Sequence, residues 1–385
     1  MWWCMLGNEK PDNGTIRIAG RAIGAQEAPF IIAEMSGNHN GSLERALSIV
    51  DAAADAGACA IKLQTYTADT MTLDLAEGDF FIENPLSPWK GESLYSLYEK
   101  AHTPWEWHAP IFKHCREQGL IAFSSPFDAS AVDFLEKLEA PAYKIASFEI
   151  LDLPLIRKVA ATGKPVIIST GMASEAEIDE AVTAARQAGC HELILLKCTS
   201  SYPANPADSH LRSLPYLQQR FATPVGLSDH TPGIGAALAA VALGAVVIEK
   251  HLTLSRAEGG VDAAFSLEPD ELAQLVEESR MAQRALGQVH IGPCEHERGS
   301  LQFRRTLYVV EDIPAGTVFS TKNIRAIRPG FGLPPRHYEA VLGQKSACPI
   351  RKGTPLSFDL IAESHLLEKP HSISVKPKIP EMQNQ

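Results

Sequence analysis

Residues Pro165–Thr199 read PVIISTGMASEAEIDEAVTAARQAGCHELILLKCT. This stretch decides the fold. Val166-Ile167-Ile168 opens a short β-type run that closes at Gly171, and Ala176–Ala188 carries the amphipathic spacing of a helix. Gly189 stops that helix, and Leu193–Thr199 starts a second apolar run. Two apolar runs joined through a helix make a strand–helix–strand unit, the connection that parallel strands require.

Outward from this unit, the same alternation extends from Phe30 to about Gly287. The other predicted strands are Phe30–Met35, Ala60–Tyr66, Ile121–Phe127, Ala142–Phe148, Pro224–His230 and Val246–Leu254. Helical stretches include Leu43–Ala56, Pro104–Gln118, Ala129–Leu138 and Leu267–Leu286. Eight such units in about 250 residues predict an α/β fold of the closed (β/α)8 TIM-barrel type, spanning 29–287. An open doubly wound sheet is the competitor, but no G-x-G-x-x-G follows the first strand. The unusually long connection Thr67–His102 would lie at the C-terminal face, where barrel enzymes keep their chemistry.

The flanks read differently. Residues 1–28 form an N-terminal extension with a short β segment, and Met1–Leu6 reads as a frayed end, too short and without the basic leader of a signal peptide. Residues 288–303 read as a linker and 304–362 as a small β-rich module, punctuated by Pro314-Ala315-Gly316 and Arg351-Lys352-Gly353. The tail, 363–385, is rich in Lys, Pro, Ser and Gln and is expected to be disordered.

The whole chain has 385 residues and a net charge of −11, from 46 acidic and 35 basic residues. That balance argues against a nucleic-acid partner or an anionic membrane surface. An anionic substrate then needs a few lysines and arginines converging locally. No stretch approaches the roughly 20 apolar residues of a membrane span. Seven scattered cysteines without a C-x-x-C pair fit a reducing cytoplasm.

Polar residues gather at the predicted strand ends, where a purely structural barrel would place Val, Ile and Leu. Alternation puts Lys62 with Gln64, Ser228 with His230, and Glu249 with His251 on shared faces. Lys144 is out of phase with Ser147 and Glu149, so all three face inward only if that strand end bulges. The sixth strand offers Lys197 and Thr199, then Ser200. Lys62, Lys144, Ser125, Ser147, Ser169 and Ser228 supply the charges and hydroxyls that a phosphate group requires. A lone strand-end Ser more often caps the next helix. Lys144 could instead form a Schiff base. His230 and His251 end adjacent strands, where they could share a catalytic divalent metal or stand as two hydrogen-bonded histidines. His39 either lines the site or orders its own turn. Cys198 reads as a small buried filler.

The motifs resemble the sialic acid synthase family. They are Ile31–Gly41 (IIAEMSGNHNG), Lys62–Thr65, Ser125–Asp128, Tyr143–Ser147, Ser169–Met172, Gly226–Thr231 and Glu249–His251. The runs Lys62–Asp74, Thr103–His108, Cys198–Ala204 and Ser255–Pro269 resemble most closely the branch that makes pseudaminic acid. The resemblance implies condensation of phosphoenolpyruvate with the open-chain aldehyde of an acetamido sugar, a 2,4-diacetamido-2,4,6-trideoxy-altrose, with release of phosphate. N-acetylmannosamine is the alternative acceptor. It implies that His230 and His251 hold a divalent metal, Mn2+ or Mg2+. Lys62, Lys144, Ser125, Ser147, Ser169 and Ser228 would grip phosphoenolpyruvate, joined by Ser200 where neuraminic acid synthases can carry Asn. Glu34, Gln64, Glu149, Tyr202 and Asp262 would face the sugar or manage protons, with Glu34, Glu149 and His251 as the catalytic set. It also implies that 304–362 is an antifreeze-like (SAF) domain, swapped across a homodimer so that Arg328 enters the partner's site. Without the resemblance, Arg328 reads as part of a solvated turn, and a sugar-binding module without catalysis is the remaining reading.

Overall fold

The structure, a computed structural model, describes residues 14–85 and 89–363. The Met1–Leu6 run and almost all of the expected disordered tail lie outside the described residues. The chain divides into two compact units between Gly287 and Gln288.

The first unit opens with an antiparallel hairpin, β1 (Ile16–Ile18) and β2 (Arg21–Ile23), whose isoleucines are buried. Eight parallel strands follow: β3 (Phe30–Glu34), β4 (Ala60–Thr65), β5 (Ile121–Pro126), β6 (Tyr143–Ile145), β7 (Val166–Ser169), β8 (Leu193–Cys198), β9 (Val225–Asp229) and β10 (Val247–His251). They close into a barrel in chain order, β10 pairing with β3. All eight fall within the predicted stretches, shortened by one or two residues at most ends. β6 and β10 each lose three residues at the C-terminal end, β6 because the chain turns at Ser147–Leu151 into a 3-10 helix.

The helices of the first unit are α1 (Leu43–Asp55), α2 (Ala68–Met71), α3 (Leu94–Ala101), α4 (Trp105–Glu117), α5 (Ala129–Lys137), α6 (Leu153–Ala160), α7 (Glu175–Gln187), α8 (Ser213–Phe221), α9 (Gly235–Ala242) and α10 (Pro269–Leu286). The sequence reading singled out neither α6, α8 nor α9. α9 reads GAALAAVA and has almost no polar face, so no 3.6-residue period shows. The long connection after β4 is locally built, holding α2, α3 and a 3-10 turn at Gly78–Phe80.

Each barrel strand buries side chains on both faces, as a sheet wrapped by helices must. Ile32, Ile61, Phe123, Ile167 and Ile194 are fully or almost fully buried in one continuous core. Five helices begin on a side-chain cap that accepts a backbone N–H: Ser42, Ser93, Asp128, Asp152 and Ser174. Ser125, Ser147, Ser169 and Ser228 are not among the caps. Their hydroxyls are therefore not spent on helix starts.

In the second unit, β11 (Thr306–Val309) pairs antiparallel with β12 (Ile324–Ile327), and α11 (Tyr338–Val341) follows. Leu307, Val309, Phe319, Ile324 and Leu356 form its own small core. Ahead of β11, within the second unit, 3-10 turns run through Glu295–Phe303.

Candidate active site at the barrel mouth

Parallel strands aim their carboxyl ends at one rim of the barrel, and the polar residues converge there. Glu249 on β10 is the hub. One of its oxygens lies 3.4 Å from Lys62 Nζ and 3.3 Å from Lys144 Nζ, and it accepts the Ser228 hydroxyl at 3.2 Å. Lys62 also lies 2.9 Å from Glu34 Oε2 and donates to Ser125 Oγ at 3.3 Å. Gln64 Nε2 donates to the other Glu34 oxygen at 2.9 Å. Six strands, β3, β4, β5, β6, β9 and β10, thus meet through one buried network.

Its electrostatics favour an anion. Burial works against ionised Glu249, but the Lys144 and Lys62 ammonium groups outweigh it and hold the carboxyl at about 2. Glu34 moves the other way: burial pushes it up more than Lys62 pulls it down. Lys62 is raised, because Glu249 and Glu34 overcome its desolvation, whereas burial wins at Lys144 and lowers it. The cluster sets two lysines against one firmly ionised carboxylate. Burying such cations is costly unless an anion meets them.

The unpaired polar atoms mark where ligand groups would sit. Among the described residues, Ser169 Oγ, Glu149 Oε2, Glu249 Oε2 and His251 Nδ1 are buried without a hydrogen-bond partner. Buried polar atoms are normally paired, so a group of orphans at one rim points to a bound ligand. Burial raises Glu149 to about 7. The 3-10 turn after β6 carries Ser147 and Glu149 and brings them to the same rim as Lys144. No bulge is needed. Gly171 packs closely here: a Cβ on it would stand 2.5 Å from Ser147 Cβ and 3.0 Å from Ser200 Oγ.

The histidines pair as their strand positions imply. The His230 and His251 rings are 5.3 Å apart, centroid to centroid. The Thr199 carbonyl lies 3.1 Å from His230 Nδ1 and Cys198 Sγ lies 3.9 Å from it. Asp262 Oδ2 lies 3.9 Å from His251 Nδ1 and also bonds the Ser36 hydroxyl. Burial holds His251 well below its usual range, which keeps the imidazole in its neutral, ligating form. Among the described residues no three His, Cys, Asp or Glu side chains gather into a complete metal cage. Two imidazoles with an unpartnered nitrogen fit an ion whose other positions are left to water and substrate. The Tyr202 ring lies 4.5 Å from His230, tilted by 56°, and Phe265 packs edge-on 5.0 Å from His251.

Three sequence readings change. Lys197 and Thr199 do not face inward; Cys198 does, because β8 pairs Cys198 with inward-facing Ser228. Lys197 instead donates to the Cys198 carbonyl at 2.7 Å. Cys198 is more than filler: burial alone would raise its thiol, but His230, Ser147 and Lys144 together outweigh that and bring it to about 7. His39 orders its turn, accepting the Gly41 N–H at 3.1 Å on Nδ1. Glu249 was absent from the residues assigned a site role, although its face was known from its phase with His251. Arg328 belongs to the second unit, one residue past β12.

Comparison with known proteins agrees with this geometry. The chain matches the NeuB family over residues 49–291 and the SAF domain over 304–362. It is 44% identical to a pseudaminic acid synthase of Campylobacter jejuni, over 85% of this chain and 95% of that one. It is 42% identical to a pseudaminic acid synthase of Helicobacter pylori, over 88% and 99% of the two chains. The crystal structure of an N-acetylneuraminic acid synthetase from Leptospira borgpetersenii in complex with citrate superposes with a TM-score of 0.67 at 33% identity, over 76% of this chain and 96% of that one. A barrel with this mouth, followed by a SAF domain, belongs to the NeuB family.

Proposed function

We propose that the protein is a transferase that condenses phosphoenolpyruvate with the open-chain aldehyde of 2,4-diacetamido-2,4,6-trideoxy-altrose, giving pseudaminic acid and phosphate. The observation that carries the reading is the buried Lys62–Lys144 pair amid unpartnered Ser169, Glu149 and His251 atoms. The identity to two pseudaminic acid synthases supports the choice of sugar.

Lys62 and Lys144, with Ser125, Ser147, Ser169, Ser200 and Ser228, bind the phosphate and carboxylate of phosphoenolpyruvate. These preorganised charges and hydroxyls hold the enol carbon toward the aldehyde. His230 and His251 would hold a divalent ion, Mn2+ or Mg2+, which when bound supplies a positive charge to polarise the aldehyde carbonyl. Gln64, Tyr202 and Asp262 orient the sugar. A C–C bond forms between the enol carbon and the aldehyde carbon, and Glu149, which keeps its proton up to about pH 7, protonates the new alkoxide. Water adds at the former enol phosphate carbon, and the tetrahedral intermediate expels phosphate by breaking the C–O bond. Glu34 lies between Lys62 and Gln64 and is the second proton carrier. The working unit is a cytoplasmic homodimer in which the partner's SAF domain contributes Arg328 to the sugar site.

Phosphoenolpyruvate labelled with 18O in its bridging position tests the chemistry. The label should leave in phosphate. Label kept in the sugar acid would overturn C–O cleavage, and borohydride trapping of a substrate on Lys144 would favour an aldolase.

A further inference from the structure

Asp229 and Lys250 form a buried ion pair that no step above uses. Lys250 Nζ lies 2.7 Å from Asp229 Oδ2 and donates to the Thr231 carbonyl at 2.5 Å. The Thr231 N–H donates to the second Asp229 oxygen at 2.9 Å. Lys250 is 0% exposed and Asp229 3%. Alternation turns both side chains away from the lumen, opposite to Ser228 and Glu249. They sit in the layer between sheet and helices, where an aliphatic pair would normally pack. A buried ion pair there gains little or nothing over well-packed apolar residues. Stability alone gives no reason for it.

Its place in the ladder gives one. Asp229 and Lys250 are paired opposite each other as the last rung between β9 and β10. His230 and His251 are the next residue on each strand, beyond that rung. Through Asp229 and the Thr231 carbonyl, Lys250 holds the backbone on both sides of His230, while itself being bonded to His251 through the chain. We infer that Asp229 and Lys250 are positioning residues that fix the separation of the two imidazoles and thereby the affinity of the site for its divalent ion. The inference rests on the metal-binding part of the proposed function.

The test measures Mn2+ binding directly, from the electron paramagnetic resonance signal of free Mn2+, without turnover. In the full-length double variant Asp229→Leu/Lys250→Met the buried charges are replaced by apolar groups of similar size, so the fold should persist with a Tm within a few degrees of wild type. The Mn2+ dissociation constant should rise about 10–100-fold, the range of lost outer-shell support. Phosphoenolpyruvate binding in metal-free buffer should stay within about twofold, because its lysines are untouched. A folded double variant with wild-type Mn2+ affinity would overturn the inference. Should that variant fail to fold, Asp229→Asn/Lys250→Met removes both buried charges while keeping a polar acceptor for the Thr231 N–H, and should weaken Mn2+ several-fold; unchanged affinity would overturn it equally. Wild-type protein that releases phosphate yet binds no Mn2+ would remove the metal reading and the inference together.

Discussion

Glu149 shows how one residue's setting fixes its chemistry. Burial lifts its carboxyl from 4.5 to about 7, against the weaker pull of Lys144. The folded protein therefore keeps a proton that the unfolded chain releases. Stability falls as pH rises from about 4.5 to about 7, and the loss then stays constant. The cost at pH 8 is at most about 3 kcal/mol. Glu149→Gln should accordingly raise Tm at pH 8 and leave it unchanged near pH 4.5, while reducing turnover at least 100-fold. A Tm gain equal at both pH values would show that Glu149 does not titrate as described. At this scale the sequence was informative wherever strand alternation held: Lys62, Gln64, Ser228 and His251 all lie where their phase put them. Glu249 was legible in phase but not in role, because its importance is a matter of convergence. Only the closed barrel brings Lys62 from β4 and Lys144 from β6 to the same carboxylate.

At the scale of elements, all eight strands were visible as apolar runs between turn signals, since each is buried on both faces. The ends were harder. β6 gives way to a 3-10 turn, and this irregularity places Ser147 and Glu149 beside Lys144 without a bulge. Period-2 reasoning has no way to express it. The phase of β8 was misread by one residue for a related reason: Lys197 is polar and Cys198 is not, so polarity pointed inward at the wrong side chain. Register with β9 decides it. Helix caps were the other ambiguity. A strand-end Ser can cap a helix or face a ligand, and only the observed caps at Asp128, Asp152 and Ser174 release Ser125, Ser147 and Ser169 for the site. α9 was overlooked because a helix of Ala, Val and Leu has no polar stripe to betray its period.

At the scale of the whole molecule, the two units carry different parts of the proposed chemistry: the barrel holds His230 and His251, and the second unit holds Arg328. If Arg328 acts in the partner's barrel, two inactive variants should complement each other. Arg328→Ala and His251→Ala should each lose most activity while remaining folded. Dissociated and reassociated together, they should regain about a quarter of wild-type activity, because half of randomly formed dimers are mixed and each has one intact site. No recovery in demonstrably mixed dimers would mean that Arg328 serves its own chain's site or none. Against a net charge of −11, an anionic substrate can be held only by cations that converge locally, as Lys62 and Lys144 do. The choice between acceptor sugars was not legible from barrel physics at all, since no strand-end residue ranks a C6 methyl against a hydroxymethyl. The most direct measurement is therefore phosphate release from phosphoenolpyruvate in the presence of Mn2+, comparing the 2,4-diacetamido-2,4,6-trideoxy-altrose with N-acetylmannosamine. Release with the first sugar alone is the predicted result. Release only with N-acetylmannosamine would overturn the substrate, and release with neither, on enzyme shown to hold its metal, would contradict the synthase itself.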